Sequence, residues 1–520
     1  MEKHLYLKLA HCIIGHVQIQ GVEIMEVYYQ STRQNTPKID AKAAVLQGIS
    51  SDGGLFVWPD LGQEKLDLNA VCQSDYKGIA RMVFNQLLSG YSKQELDECI
   101  DNAYTNTFEV KDEETITPLK TVDDVEVLEL FRGPTSAFKD VALTILPWFL
   151  SKALAATNKK ALILTATSGD TGKAAMSGFQ DVDHTGICVF YPDGKVSAVQ
   201  HKQMASQEGQ NVRVFGVEGN FDDAQSTVKK LFLDPELKER LAKEQIVLSS
   251  ANSINIGRLI PQIVYYFDAY RQLVKKGTIK AGDPVSFSVP TGNFGDVLAG
   301  YYASLMGLPV ETFYVASNAN NVLTDFLATG TYDRNRPFIQ TISPSMDILI
   351  SSNLERLLYY ASNKDSAKVA GWMNDLANTG AYTLDDQTKA VIQSMFKGGY
   401  YDDEALKATI KAAYDKTGYV LDPHTAAAYA LAKEAKADSD VPVIALATAS
   451  PYKFTQDVLA ALGIVEEDPW KAMQILNTMH DDPIPAPLAA LKDAPIRHDA
   501  CIKPEEMKEE VAAKALEIFQ

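Results

Sequence analysis

Strand-length runs of β-branched and apolar residues recur through the middle of the chain, each followed by a polar or amphipathic stretch long enough to return as a helix. "ALILTATSGDTGKAAMSGF" begins at Ala161, "GICVFYP" at Gly186, "VRVFGVEG" at Val212 and "IVLSSANS" at Ile246. This is the pattern of a buried parallel sheet with helices on its faces, the α/β class. A second set follows, with "VSFSVPTGNFGDVLAGYYASLMG" from Val285, "VETFYVASN" from Val310 and "VPVIALATASPYKF" from Val441. Two open, mostly parallel sheets flanked by helices are therefore expected. Ligand loops at the carboxyl ends of their strands would face a cleft between them.

At 520 residues, 46% of them hydrophobic, the chain can bury a large core and divide into domains. The reading places an N-terminal extension at 1–24, before Met25, and an α/β region at 25–115. A small α/β domain at 116–280 precedes a large one at 281–465 with a helical insertion near 329–423, and a helical tail occupies 466–520. The extension has an apolar stretch interrupted by His11 and His16 and no cleavage site, so it is not read as a signal. From Pro504 the tail reads as an amphipathic helix with acids in its first turn and a solvated charged face.

The formal charge of -18 repels nucleic acid and anionic membrane surfaces, so neither is expected as a partner. No apolar run has the length of a membrane span. Cys12, Cys72, Cys99, Cys188 and Cys501 lack CxxC spacing, which points to neither a metal site nor a disulfide framework and fits a reducing cytoplasm. A monomer or small homo-oligomer is expected.

"LFRGPTSAFKDVALTILPWFL", from Leu130, puts Lys139 after a Gly-Pro-Thr turn, where a long apolar helix begins. The partial positive charge of a first helical turn, with desolvation by Ala137 and Phe138, would push this amine toward its neutral, nucleophilic form. Such an amine makes Schiff bases; a surface lysine at a helix start is the plainer alternative. Three loops follow strands. "TSGDTGK" lacks the first glycine and the magnesium-binding hydroxyl of a nucleotide-binding loop, having Thr167 and Ala174 there. It offers backbone N–H groups and the Ser168 and Thr171 hydroxyls to a carboxylate, and Ser168 or Asp170 could cap the next helix. In "PTGNFGDVL", Gly292 and Gly295 allow a backbone nest for a phosphate, or simply a tight turn. In "ATASPYKF", Thr448 and Ser450 could face a ring nitrogen or cap the following segment.

A Schiff-base lysine, a phosphate nest and a carboxylate loop are what pyridoxal 5'-phosphate and an amino acid substrate require. "LELFRGPTSAFKDVAL", "TATSGDTGKAA", "SSANSINIGRLIPQIVYY", "PTGNFGDVLAGYY", "SPSMDILISSNLERLL" and "DPHTAAAYA", in that order, resemble the long form of the threonine synthase family, as do "YYQSTRQ" and "QGISSDGGLFVWPD" nearer the start. The similarity runs from about Met25 to "TASPYKF". It implies a fold type II enzyme of the tryptophan synthase β type that converts O-phospho-L-homoserine and water to L-threonine and phosphate. By resemblance, Lys139 is the Schiff-base lysine and the base freed when substrate displaces it. Gly292, Asn293, Phe294 and Gly295, with the amide of Asp296, hold the cofactor phosphate. Thr448 lies at the ring nitrogen, and Ser168, Gly169, Asp170 and Thr171 face the substrate.

Many relatives carry histidine where this chain has Arg132, which leaves that side chain without a borrowed role. The substrate phosphate needs a site of its own. Asn252, Asn255 and Arg258 are spaced to share one helical face, and Arg258 could grip a phosphate bidentately; Lys173 and Arg132 are the other candidates. His424 reads as a buried, hydrogen-bonded histidine rather than a catalytic acid. The rival functions are a serine or threonine dehydratase of the same fold, which needs no second phosphate site, and a non-catalytic relative, which would not need Lys139.

Overall fold

The computed structural model describes residues 28–34, 37–112, 114–155, 157–167, 169–219, 221–480 and 482–520. The extension expected at 1–24 lies outside them, as does Ser168. Two sheets carry the architecture. The larger contains β1 (Leu119–Val122), β2 (Val125–Glu129), β7 (Val285–Pro290), β8 (Val310–Ser317), β9 (Phe396–Tyr400) and β10 (Val443–Ala447), in the spatial order β9-β8-β7-β10-β2-β1. All of its pairs are parallel except β1 with β2. The smaller contains β3 (Lys160–Ala166), β4 (Thr185–Pro192), β5 (Val212–Val217), β6 (Ile246–Ser249) and β11 (Cys501–Ile502), in the order β11-β5-β4-β3-β6, and is wholly parallel. The central strands β4, β7 and β10 are buried at every position, which is why they read as continuous apolar runs rather than alternating ones.

Three expectations need correction. The boundary near 116 does not separate the sheets, because β1 and β2 belong to the larger one, with Leu128 of β2 in register with Leu446 of β10. The helical insertion supplies β9, an edge strand parallel to β8, and a short antiparallel pair, Thr331–Asp333 with Ala381–Thr383. The tail is more than a helix: Cys501–Ile502 extends the smaller sheet, and Met507, Val511 and Ala515 of its last helix are buried in that sheet's core. That helix keeps Glu509 and Glu517 exposed, as its charge pattern implies.

The N-terminal region is mainly helical, with α1 (Tyr76–Leu87) and α2 (Lys93–Tyr104) beside a two-residue ladder of Gln30–Ser31 with Phe56–Val57. The single long helix expected from Lys139 is two, α3 (Lys139–Leu143) and α4 (Leu146–Ala155). Pro147 has no N–H for the Leu143 carbonyl, so the helix is interrupted there. The freed carbonyl faces α5 (Asp170–Phe179), where a methyl group on Gly178 would lie 1.9 Å from it. Only glycine lets α3 and α5 approach so closely, and α6 (Ala198–Ala205) packs against α5 in turn. At the centre of the molecule α7 (Ile256–Lys276) is buried almost throughout and packs against α1 and α8 (Gly295–Leu305).

Candidate active site

Lys139 opens α3 directly after a segment that pairs with the end of β10. Phe138 N–H donates to Thr448 O at 2.8 Å, Ser450 N–H donates to Ser136 O at 3.0 Å, and Ala137 bridges Ala449 between them. Lys139 and the turn after Thr448 thus leave one short ladder, side by side. The Lys139 ammonium is buried, 3.4 Å from Asp170 Oδ2 and 4.8 Å from the centre of the Phe138 ring. Asp170 is the first residue of α5 and Gly169 its N-cap, without a side-chain cap; Ser168, the other expected cap, lies outside the described residues. Thr167 Oγ1 accepts from Gly169 N at 3.0 Å and from Gly172 N at 2.9 Å. Gly169 itself has φ +136, a conformation that excludes ordinary side chains.

A second lysine meets the same carboxylate. Lys453, in the 3-10 turn Pro451–Lys453, is 2.7 Å from Asp170 Oδ1 and donates to Thr135 O at 3.0 Å, with its side chain fully buried. Gln200 Nε2 donates to Asp170 Oδ1 at 3.3 Å and Ser345 Oγ to Oδ2 at 3.5 Å. Burial alone would raise the Asp170 carboxyl, but Lys453 and Lys139 together hold it well below the usual carboxylate range. Burial pushes the Lys139 amine down; Asp170 opposes this, while the charges of Lys453 and Arg258 add to it. The direction is the one expected of a lysine at a desolvated helix start, and burial is its largest cause.

The turn after β7 runs from Gly292 into α8. Phe294, at φ 62, is a bulky residue held in the left-handed region, buried and packed 5.9 Å from the Phe396 ring. The segment 351–353 braces the turn from outside: Ser351 Oγ donates to Gly292 O at 2.6 Å, and Asn353 donates to Asn293 O through its N–H at 3.0 Å and its Nδ2 at 3.1 Å. At Gly295 a side-chain carbon would find no atom nearer than Asn353 Nδ2 at 3.5 Å and Ser253 Cβ at 3.6 Å, so protein packing does not require a glycine there. A space held open at a helix N-terminus, with the helix's unpaired N–H groups facing it, suits a phosphate. Behind it Asp296 Oδ1 accepts from Tyr265 at 2.6 Å and Tyr266 at 2.9 Å, while Oδ2 is buried without a partner. Burial raises this carboxyl to about 6 despite the two hydroxyls and Lys139.

Of the residues expected to face substrate, Gly169 and Asp170 stand at Lys139, and Thr171 follows them on α5, half-buried. Asn252, Asn255 and Arg258 do not share a helical face. The helix begins at Ile256, and Asn255 is its cap: Oδ1 accepts from Gly257 N at 2.9 Å, and Nδ2 donates to Val45 O and Ser250 O at 3.0 Å each. Asn255 is therefore structural, and Asn252 lies in the preceding turn, its Oδ1 accepting from Ser250 Oγ at 3.3 Å. Arg258 is different. Its guanidinium is buried, Nη1 donates to Ala251 O at 2.9 Å, Nε has no partner, and burial lowers it to about 10.

Arg132 is not free for substrate: it is ion-paired with Glu129 and, at 2.6 Å, with Asp482. Lys173 donates to Gln207 Oε1, and burial lowers it to about 8. His424 is buried, with Nδ1 2.8 Å from Asp422 Oδ1 and Nε2 accepting from Ser345 N at 3.2 Å, the structural role expected of it. Sequence reasoning missed Lys453, although it lies in the quoted "ATASPYKF", and it missed the bracing residues Ser351 and Asn353. A lysine in a Ser-Pro turn at a strand's carboxyl end was the available signal for the first.

Residues 28–104 match the family described as threonine synthase N terminus, residues 111–447 that of pyridoxal-phosphate dependent enzymes, and residues 425–511 that of threonine synthase, C-terminal. Human threonine synthase-like 1 is 37% identical over 84% of this chain, which spans 60% of that protein's length. The threonine synthase of Pseudomonas aeruginosa is 38% identical over 83% of this chain and 89% of its own. The solved structure of pyridoxal-phosphate-bound threonine synthase from Brucella melitensis superposes with a TM-score of 0.83 at 37% identity, covering 94% of this chain and all of that one. By the family models that span most of its length, by sequence identity and by architecture, the chain belongs to the threonine synthase family of fold type II pyridoxal-phosphate-dependent enzymes.

Proposed function

We propose that the chain is a threonine synthase, a lyase that uses pyridoxal 5'-phosphate to convert O-phospho-L-homoserine and water to L-threonine and phosphate. The observation that carries this reading is the excess of buried cations at the site. Lys139 and Lys453 both contact the ionised Asp170 and Arg258 adds its charge at Lys139, in a chain of net charge -18, and the Arg258 guanidinium has no carboxylate partner among the described residues. Uncompensated buried charge is costly, and an anionic substrate would offset it. A dehydratase acting on unphosphorylated amino acids has no such need.

In this reading the N–H groups at the start of α8, around Gly295 and Asp296, hold the cofactor phosphate. Pyridoxal phosphate supplies an electron sink for the pair of electrons left when a proton is taken from carbon. Lys139 anchors the cofactor and, once displaced by the substrate amine, takes the protons at Cα and Cβ, since its flexible stem reaches both. Asp170 stabilises the ammonium that Lys139 becomes and orients it. Arg258 grips the substrate phosphate until it leaves Cγ, and the loop from Gly169 to Thr171 receives the substrate carboxylate. Thr448, whose backbone is fixed by Phe138, presents a hydroxyl rather than a carboxylate to the ring nitrogen. The four described cysteines are free thiols, which fits a cytoplasmic setting.

The test is direct. The purified chain, given O-phospho-L-homoserine and the cofactor, releases phosphate and threonine in equal amounts. Ammonia and a 2-oxo acid from serine or threonine, with no phosphate from phosphohomoserine, would overturn the reading in favour of a dehydratase.

A further inference from the structure

The geometry points to Lys453 as a positioning residue for Lys139: it claims Asp170 as its own counter-ion, so that Lys139 meets an aldehyde as the free amine. The inference rests on the cofactor reading above and concerns only this chain's residues. Three observations carry it. Asp170 is nearer to Lys453 than to Lys139, 2.7 Å against 3.4 Å, and Lys453 is further fixed by Thr135 O at 3.0 Å. Both lysines follow closely on the two segments of one short ladder, Ser136–Phe138 and Thr448–Ser450, so backbone hydrogen bonds fix where both side chains start beside Asp170. Lys453 has no exposed side-chain surface, so water does not screen its charge.

Two ammonium groups on one buried carboxylate leave a net positive charge, and the lysine with the longer contact gives up its proton more readily. The groups around Lys139 are Asp170 on α5, Lys453 on its turn, Arg258 on α7 and Asp296 on α8. His424 also acts on Asp170 from beyond Ser345. Of the cations among these, Lys453 is the one bonded to the shared carboxylate. In the step concerned, the Lys139 nitrogen lone pair adds to the aldehyde carbon. The carbonyl oxygen then departs as water with the amine's two protons, and a C=N bond replaces C=O. No redox partner is needed. Only the unprotonated amine has the lone pair.

The experiment follows C=N formation by absorbance across pH, mixing the full-length cofactor-free chain with pyridoxal 5'-phosphate or with pyridoxal, which lacks the phosphate. Lys453→Gln retains an amide donor for Asp170 and Thr135 but removes the charge; Lys453→Arg retains the charge. For Lys453→Gln, the pH midpoint of the reaction should rise by about one unit with both aldehydes, so the rate at pH 7 falls about tenfold. Lys453→Arg should keep the wild-type midpoint. Lys453→Met provides a second charge-free variant with the same expectation, and circular dichroism establishes that each variant is folded. An unchanged midpoint in a folded charge-free variant overturns the inference. So does a loss confined to the phosphorylated aldehyde, which would make Lys453 an anion-binding residue. A wild-type chain that forms no C=N bond with either aldehyde overturns the cofactor reading itself, and the inference with it.

Discussion

Arg258 and Asp296 are the charged residues of the site that have a buried polar atom without a partner among the described residues, at Nε and Oδ2 respectively. They make opposite predictions about stability. Arg258→Leu removes a buried charge held by one carbonyl, so the melting temperature should not fall. A charge-assisted contact to the substrate phosphate is worth roughly 1.5–3 kcal/mol, so the KM for O-phospho-L-homoserine should rise at least about tenfold. Binding of serine, which has no phosphate, should change little; equal losses for both ligands would make Arg258 structural. Asp296 titrates near 6 in the fold against an ordinary value of 3.8. The folded state therefore binds more protons than the unfolded chain between about pH 4 and 6, and stability falls as pH rises through that window. Asp296→Asn keeps an oxygen for Tyr265 and Tyr266 and cannot ionise. The cofactor-free variant should be more stable than wild type at pH 8 by on the order of 2 kcal/mol, with the difference vanishing near pH 4. Urea titrations at the two pH values measure it, and a constant difference would refute the assignment.

The turn between β7 and α8 holds one glycine that protein packing requires, Gly292, and one that it does not, Gly295. Added bulk at Gly295 meets protein only at ordinary contact distance, whereas a side-chain carbon at Gly292 would lie 2.7 Å from Ser345 O. Gly295→Val should therefore weaken cofactor binding at least about tenfold while shifting the unfolding midpoint little. Gly292→Ala should displace the Ser345 segment and lower both, and cofactor titration beside denaturant unfolding tells the two apart. These two glycines were legible in the sequence because they follow β7, an apolar run buried on both faces, and the strands β3 to β6, β8 and β10 were legible as similar apolar runs. Strand β9, "FKGGY", was not. It is an edge strand with an exposed face, and its glycines answer to tertiary neighbours, Gly399 lying where a methyl group would come 2.6 Å from Leu431. The same divide runs through the site. Lys139 is announced by the turn and apolar stretch beside it, but Lys453 takes its meaning from Asp170, 283 positions away on another sheet's helix, as the two residue numbers show. The spacing of Asn255 and Arg258 suggested one helical face because the helix start, between them, is fixed by the Asn255 cap.

One side chain ties the N-terminal region to the segment that braces the Gly292–Gly295 turn, the proposed phosphate site, and to the loop before α7. Arg356, near the start of α9 (Leu354–Ala361), is fully buried. Its Nε donates to Phe56 O at 2.9 Å, Nη1 to Asn353 Oδ1 at 2.5 Å and Nη2 to Ile254 O at 2.6 Å. A cation in a first helical turn is disfavoured by the helix dipole, and burial lowers this guanidinium further, so its place is explained by what it joins. Phe56 belongs to the N-terminal ladder, Asn353 braces the Gly292–Gly295 turn, and Ile254 precedes Arg258. Next to it Glu355 pairs with Arg33 at 2.8 Å on the partly exposed side of the same junction. Removing Arg356 would leave two buried oxygens and the half-buried Ile254 carbonyl without their donor, at roughly 1–3 kcal/mol for each that no water reaches. Arg356→Met should therefore lower stability by several kcal/mol and weaken cofactor affinity together, because the brace on Asn293 loses its own support. Arg33→Met, which leaves the buried Glu355 carboxylate to Thr32 Oγ1, should cost roughly 1–3 kcal/mol and leave cofactor affinity within about twofold. Both variants can be measured by denaturant unfolding of the cofactor-free chain and by cofactor titration under native conditions. A folded Arg356→Met chain with wild-type cofactor affinity would mean that Ser351 and Asn353 hold the nest unaided, and that the N-terminal region covers the site without shaping it.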